Sequence, residues 1–354
     1  MDLNYRKNML LFGAGFTANF GGFLAREMWV KIFNNPDLNQ LTKAKELFKN
    51  SEKKFDFENI FSEIILGDGY SSDDKTKFEK IIIETYISMQ LIIGQGENQI
   101  IDSWGVNQEE LKDFLSLFFF NEERVGVCFT LNQDLFFEQK FGWQPFISKT
   151  KWFSQERLKQ CGGYKISYSN RDPHILPNHD ELNRFSEVEL VTELESVKKQ
   201  HNILYMKLHG SLGWVSSDGT SRMIIGKNKK SDIEKEPLLN FYFQEFKKSL
   251  NQEEVRLLLV GYGFRDEHIN ECLVNAIDSK KLKLYIISPE SPELFQARIT
   301  HKYPYLPGAL SEIDNNGVKI WNAVEGFFPN TIREIFPRDG RKTNLAETLI
   351  KIFK

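Results

Sequence analysis

Cysteine is scarce, with three residues (Cys128, Cys161 and Cys272) in a chain of 354. They lie far apart and form no C-x-x-C pair. That spacing excludes a four-thiolate zinc module within one chain and argues against a disulfide framework. The thiols read as ordinary reduced residues of a cytoplasmic protein. An excess of one charge is missing as well. Lys and Arg number 46 against 49 Asp and Glu, a net charge of -3, so the chain is not built to coat nucleic acid. No apolar run is long enough to span a membrane, and the short one after Lys7 stops at Gly13 without a signal-peptide cleavage pattern. Internal repeats, low-complexity stretches and Gly/Ser- or Pro-rich linkers are also lacking. The whole of 1–354 is therefore expected to form one compact α/β domain.

Apolar content is ample. Hydrophobic residues make up 41% and charged residues 27%, the balance of a globular chain, and 30 phenylalanines point to an aromatic core. Short apolar runs at 9–12, 125–129, 203–208, 255–260 and 282–287 are rich in Val, Ile, Leu and Phe. They do not alternate strictly with polar residues, as suits parallel strands covered on both faces. Helical patterns over 18–33, 57–66, 76–93, 108–120, 238–250, 267–277 and 345–353 separate them. Strands alternating with helices predict a Rossmann-like, doubly wound parallel sheet. Residues 34–123 read as a helical insertion between the first and second strands. Residues 143–235 read as a loop-rich region on the substrate side, with an exposed turn-rich stretch from Asn170 to Asp180.

Ligands of open parallel sheets bind beyond the carboxyl ends of the strands, and four expected strands run into loops of distinctive chemistry. Gly13-Ala14-Gly15-Phe16-Thr17-Ala18 fits G-x-G-x-x-G/A between a strand and a helix; its glycines let backbone N–H groups approach a pyrophosphate, and Thr17 adds a hydroxyl. A plain glycine turn explains this loop equally well. The acidic residue that a dehydrogenase places about 20 positions on, at the end of a second strand, is missing. In Asn132-Gln133-Asp134 an amide and a carboxylate can grip polar ligand groups; the bland reading is a helix cap. His209, followed by Gly210, suits a general base near neutral pH; taken singly, a structural histidine explains it better. In Gly261-Tyr262-Gly263-Phe264, the glycines allow close approach and the aromatic rings can pack on a base, with Asp266 as a cap and His268 mainly structural. Sharing one sheet edge, the four loops fit a single dinucleotide pocket better than independent accidents.

In this order, Gly13–Thr17, Thr130–Asp134, Lys207–Ser211 and Gly261–Asp266 resemble the sirtuin-like superfamily, specifically its divergent prokaryotic branch linked to anti-phage defence. The resemblance implies NAD as the ligand. It implies Gly13, Ala14, Gly15, Phe16 and Thr17 at the phosphates, Asn132 and Asp134 around the nicotinamide and its ribose, and His209 as the catalytic histidine. Gly261, Tyr262, Gly263 and Phe264 would contact the cofactor from the neighbouring strand, with Ser288 near the adenosine half. Two features depart from sirtuin deacylases: the paired C-x-x-C zinc module is missing, and Arg26 alone echoes their Pro-Asp-Phe-Arg run.

The activity this implies is hydrolysis of NAD to nicotinamide and ADP-ribose, in anti-phage defence by NAD depletion and without a metal. The alternatives are an NAD-dependent protein deacylase and a non-catalytic NAD or ADP-ribose sensor. The resemblance further implies a homo-oligomer that assembles with a HerA-type hexameric ATPase. The insertion and the aromatic C-terminal stretch (Trp321, Phe327, Phe328, Phe336) are the candidate interfaces; each aromatic residue taken singly is better explained as core.

Overall fold

The protein is described by a computed structural model covering residues 4–50, 55–95, 104–121, 123–143, 186, 188–189, 191–192, 203–215, 221–301 and 313–354. The strands are β1 (Asn8–Phe12), β2 (Val127–Thr130), β3 (Leu204–Lys207), β4 (Gly210–Val215), β5 (Ser221–Met223), β6 (Arg256–Val260), β7 (Lys283–Ile287) and β8 (Val324–Phe328). All five apolar runs are strands. They join β8 in a six-stranded sheet of order β3-β2-β1-β6-β7-β8, with every neighbouring pair parallel. This is the doubly wound, Rossmann-like arrangement expected. β8 is not among the expected runs, because Glu325 and Gly326 dilute its apolar residues and only Phe328 is buried. β4 and β5, an antiparallel pair apart from the main sheet, were hidden by the two glycines in β4.

Between β1 and β2 lie α1 (Ala14–Ala18), α2 (Ala25–Phe33), α3 (Thr42–Lys49), α4 (Phe57–Leu66), α5 (Ser72–Gln95) and α6 (Gln108–Ser116). The single helix expected over 18–33 is interrupted, because Gly21 takes a left-handed φ of 86° that a right-handed helix cannot absorb. α7 (Phe136–Lys140) follows β2, and α8 (Lys229–Lys235) and α9 (Pro237–Leu250) precede β6. α10 (Glu267–Lys280) joins β6 to β7, α11 (Pro292–Thr300) and α12 (Asn315–Asn322) lead to β8, and α13 (Ile332–Ile335) and α14 (Asn344–Phe353) end the chain.

The sheet separates two apolar cores. Leu10, Phe12, Cys128, Tyr205, Leu258 and Val260 face one; Met9, Leu11, Val127, Phe129, Leu204, Met206, Leu257 and Leu259 face the other. Successive side chains of a strand point to opposite faces, so covering both faces requires the near-continuous apolar runs seen in the sequence. Helices α2–α7, α13 and α14 fill the first core, and α8–α12 the second. Phe328 and Phe336 are buried in the first core, whereas Trp321 and Phe327 pack around Phe295 beside the second. Among the described residues no helix is long and apolar enough to cross a membrane. Much of the loop-rich region, including the 170–180 stretch and Cys161, lies outside the described residues.

Candidate functional site at the carboxyl edge of the sheet

Because β3, β2, β1 and β6 are consecutive neighbours and parallel, their four following loops line one edge. The chain steps from β1 towards β3 on one side and from β6 towards β8 on the other. The reversal of direction between β1 and β6 is where doubly wound sheets open a ligand crevice. Thr130 is in register with Phe12 on one side and with Lys207 on the other. Asn132 and His209 follow two residues past this pair, beyond the ends of β2 and β3. The two loops are also tied directly, since the Leu212 N–H donates to the Gln133 carbonyl at 2.8 Å.

The Asn132–Asp134 loop is buried and heavily anchored. Asn132 Nδ2 donates to the Gly13 carbonyl at 3.0 Å and towards Thr17 Oγ1 at 3.5 Å. Both amide hydrogens thus face the first glycine turn, which leaves Oδ1 as the atom to accept from a bound hydroxyl or water. Asp134 Oδ1 accepts from the Phe136 N–H at 3.0 Å, although the N-cap position of α7 is Leu135, and Thr17 also supports its charge. Burial pushes the Asp134 carboxyl above its ordinary pKa, against the opposing pull of Lys207. Lys207 donates to the Asp134 carbonyl and pairs with Glu138 at 2.9 Å, both side chains being fully buried. Gln133 points elsewhere. Its Oε1 accepts from Tyr86 Oη on α5 at 3.0 Å, and its Nε2 donates to the Ile224 carbonyl at 3.0 Å. Gln90, also on α5, accepts from the Leu135 N–H at 2.8 Å. The insertion therefore clamps this loop from outside the sheet.

The two glycine loops are built differently from the expectation. They interlock: the Gly15 N–H donates to the Gly261 carbonyl at 3.0 Å. A Cβ on Gly13 would lie 2.6 Å from Gly261 O, and one on Gly15 2.7 Å from Gly261 Cα. Gly261 itself has φ 64°. The Phe16 N–H turns back to the Gly13 carbonyl at 2.9 Å, and the Phe16 ring is fully buried among Phe12, Phe20, Phe136 and Phe137. Gly13, Gly15 and Phe16, expected at the phosphates, thus serve backbone packing and the core. Exposed Ala14 and exposed Gly263 are the positions on these loops open to a ligand, and a Cβ at Gly263 would meet nothing within 4 Å. Tyr262 is buried, with its hydroxyl donating to Asn270 Oδ1 at 2.9 Å, and its ring packs on Phe264. Beyond them a cleft of about 270 Å³ is lined by Gly263, Phe264, Arg265, Asn270 and Arg298, among others. Ser288 follows β7 and is buried, its N–H bonded to the Phe328 carbonyl at 3.1 Å.

His209 does not stand alone. Its Nε2 lies 3.0 Å from Nε2 of His268, in the first turn of α10. Asp266 is the N-cap residue of α10, as expected. Asp266 makes no side-chain capping bond; its Oδ1 instead accepts from Lys229 Nζ at 2.8 Å, and Lys229 pairs with Glu58 at 2.7 Å. Burial drives His209 down to about 3 and His268 down to about 4, so both imidazoles are neutral near pH 7. Burial works against the Asp266 charge, yet His209, Lys229 and His268 together hold its carboxyl below the ordinary pKa. Potential ligand atoms of His209, Asp266 and His268 lie within 4.8 Å of one another, close enough for a metal ion. Lys229 also holds Asp266, so the group forms a hydrogen-bonded charge network.

A family profile described as a SIR2-like domain matches residues 126–305, about half of the chain. This protein belongs to the SIR2-like family. The match takes in β2, β3, β6, β7 and the Asn132, His209 and Gly261 loops. Comparison with curated proteins gave no match. SIR2-like domains use NAD, and membership is consistent with an NAD-using enzyme. The SIR2-like edge fits such a substrate in its buried amide and carboxylate and in the open backbone at Ala14 and Gly263. It does not offer the Gly15 and Phe16 amides to a pyrophosphate, because both are already bonded.

Proposed function

We propose that this SIR2-like protein hydrolyses NAD to nicotinamide and ADP-ribose. The observation that supports it is that Asn132 and His209 follow neighbouring parallel strands, at the sheet edge where doubly wound folds bind nucleotides. Three dispersed cysteines, with no zinc module to shape an acyl-lysine cleft, favour water over a peptide as the acceptor.

In this reading the bond between the ribose C1′ and the nicotinamide nitrogen breaks, and its electron pair neutralises the cationic ring. The departing group needs neither a proton nor a Lewis acid. Asn132 Oδ1 accepts from the attacking water or a ribose hydroxyl and fixes its approach. His209 takes the proton that is released. Asp134 holds the carboxamide. The biological role that goes with this chemistry is anti-phage defence by NAD depletion, in a homo-oligomer restrained or triggered by a HerA-type ATPase.

The test is chromatography of NAD incubated with the purified protein, alone and with its genomic neighbour. Nicotinamide and ADP-ribose should appear without any peptide. Asn132→Ala and His209→Ala should each lower turnover by about 10²–10⁴-fold while remaining folded. Turnover unchanged in both variants sinks the assignment. Acetyl-ADP-ribose formed only with an acetyl-lysine peptide would make the protein a deacylase. Tight NAD binding without turnover under every condition would make it a sensor.

A further inference from the structure

Among the described residues, His209 and His268 touch ring to ring, 3.0 Å apart at Nε2, across 59 positions of sequence. Two neutral imidazoles this close must share a single proton, one donating and the other accepting. The tautomer decides what His209 can do. If His268 donated, His209 would hold its own proton on Nδ1 and have no free lone pair. If His209 donates from Nε2, its Nδ1 lone pair is free to accept.

We propose that His268 is a positioning residue that fixes His209 as the Nε2–H tautomer and receives its proton during turnover, making the two a relay. The proposal rests on the function given above and specifies how its base works. When a proton arrives at His209 Nδ1, the Nε2 proton crosses to His268 Nε2. His209 is left neutral with its proton on Nδ1, and the positive charge resides on His268 until product leaves; the Nε2 proton then returns to His209 and the Nδ1 proton passes to solvent, which restores the starting tautomer.

The surroundings suit that transfer. Asp266 supplies the negative charge that steadies an imidazolium on either ring. Lys229 holds the Asp266 carboxylate at 2.8 Å, and Glu58 balances Lys229 at 2.7 Å. At the rim, Glu271 and Lys230 pair at 3.0 Å and face His268 with opposite charges. Phe243 closes the apolar side of the His268 ring, with centroids 5.7 Å apart. A buried histidine in such a place is a weak proton acceptor; Asp266 raises the proton affinity of both rings, and His268 is the less depressed of the two.

Two measurements decide it. In protein labelled with nitrogen-15 histidine, NMR should show His209 protonated on Nε2 and bare on Nδ1. His209 protonated on Nδ1 overturns the relay whether or not NAD is cleaved. In single-turnover assays, His268→Gln keeps a hydrogen-bonding side chain that cannot carry the proton. Its rate should fall by about 10²-fold with NAD affinity nearly unchanged. The wild-type rate in mixed light and heavy water should follow a curved proton inventory that becomes linear in the variant. A linear wild-type inventory, or full activity in His268→Gln, rules the relay out. Full activity in His209→Ala instead removes the base itself, a separate failure.

Discussion

Glycine residues that look alike in the sequence do different jobs at this edge. Gly15 is wedged against the Gly261 backbone, with 2.7 Å left for a Cβ, whereas Gly263 has nothing within 4 Å. Gly15→Ala must push two loops apart and should cost about 1–3 kcal/mol, as overpacking of a tight site does. Gly263→Ala should stay within about 0.5 kcal/mol of the parent. Urea unfolding of the two variants checks this, and equal losses would mean that the interlock is not tight. The same contrast shows what a motif conceals. The G-x-G spacing correctly marked a strand-to-helix turn. It could not tell whether the small residues make room for a ligand or for another stretch of backbone, because the partner loop lies about 250 residues away in the chain. His268 was passed over for the same reason. Its helix-start position is visible locally, but its neighbour His209 is not.

Among the elements, β3 and α7 depend on a single buried ion pair. Lys207 reaches from the end of β3 to Glu138 on α7 at 2.9 Å with no solvent on either side chain, and it also supports the Asp134 carbonyl. Lys207→Met would leave Glu138 without its counter-charge and should destabilise the protein by about 3–5 kcal/mol; replacing Glu138 with Leu as well should restore much of that. Guanidinium titrations of the single and double variants test it, and a fully stable single variant would contradict the account. The strands were legible because burial on both faces demands uninterrupted apolar residues. β8 was not, because only Phe328 of its five residues is buried. The kink between α1 and α2 turned on one left-handed glycine, and its φ is not written in apolar periodicity.

Across the whole molecule, stability should weaken in mild acid. Free histidine titrates near 6.5, whereas folding holds His209 at about 3 and His268 at about 4. Between those values the unfolded chain binds protons that the folded one refuses, so stability falls as pH drops below about 6.5. Buried carboxyls with raised pKa, Asp134 and Glu138, oppose this by taking up protons while folded. The comparison with His268→Gln isolates the histidine part. Wild type should lose more melting temperature than the variant on going from pH 7 to about 4.5, and parallel curves would refute the buried neutral pair.

Tyr86 and Gln90 suspend the Asn132 loop from α5, a helix that belongs to the insertion and not to the strand framework. A small shift of that helix would reach the amide while every strand stayed in place. Turnover could then be throttled from the outer surface of the insertion, a lever that a bare Rossmann sheet does not possess.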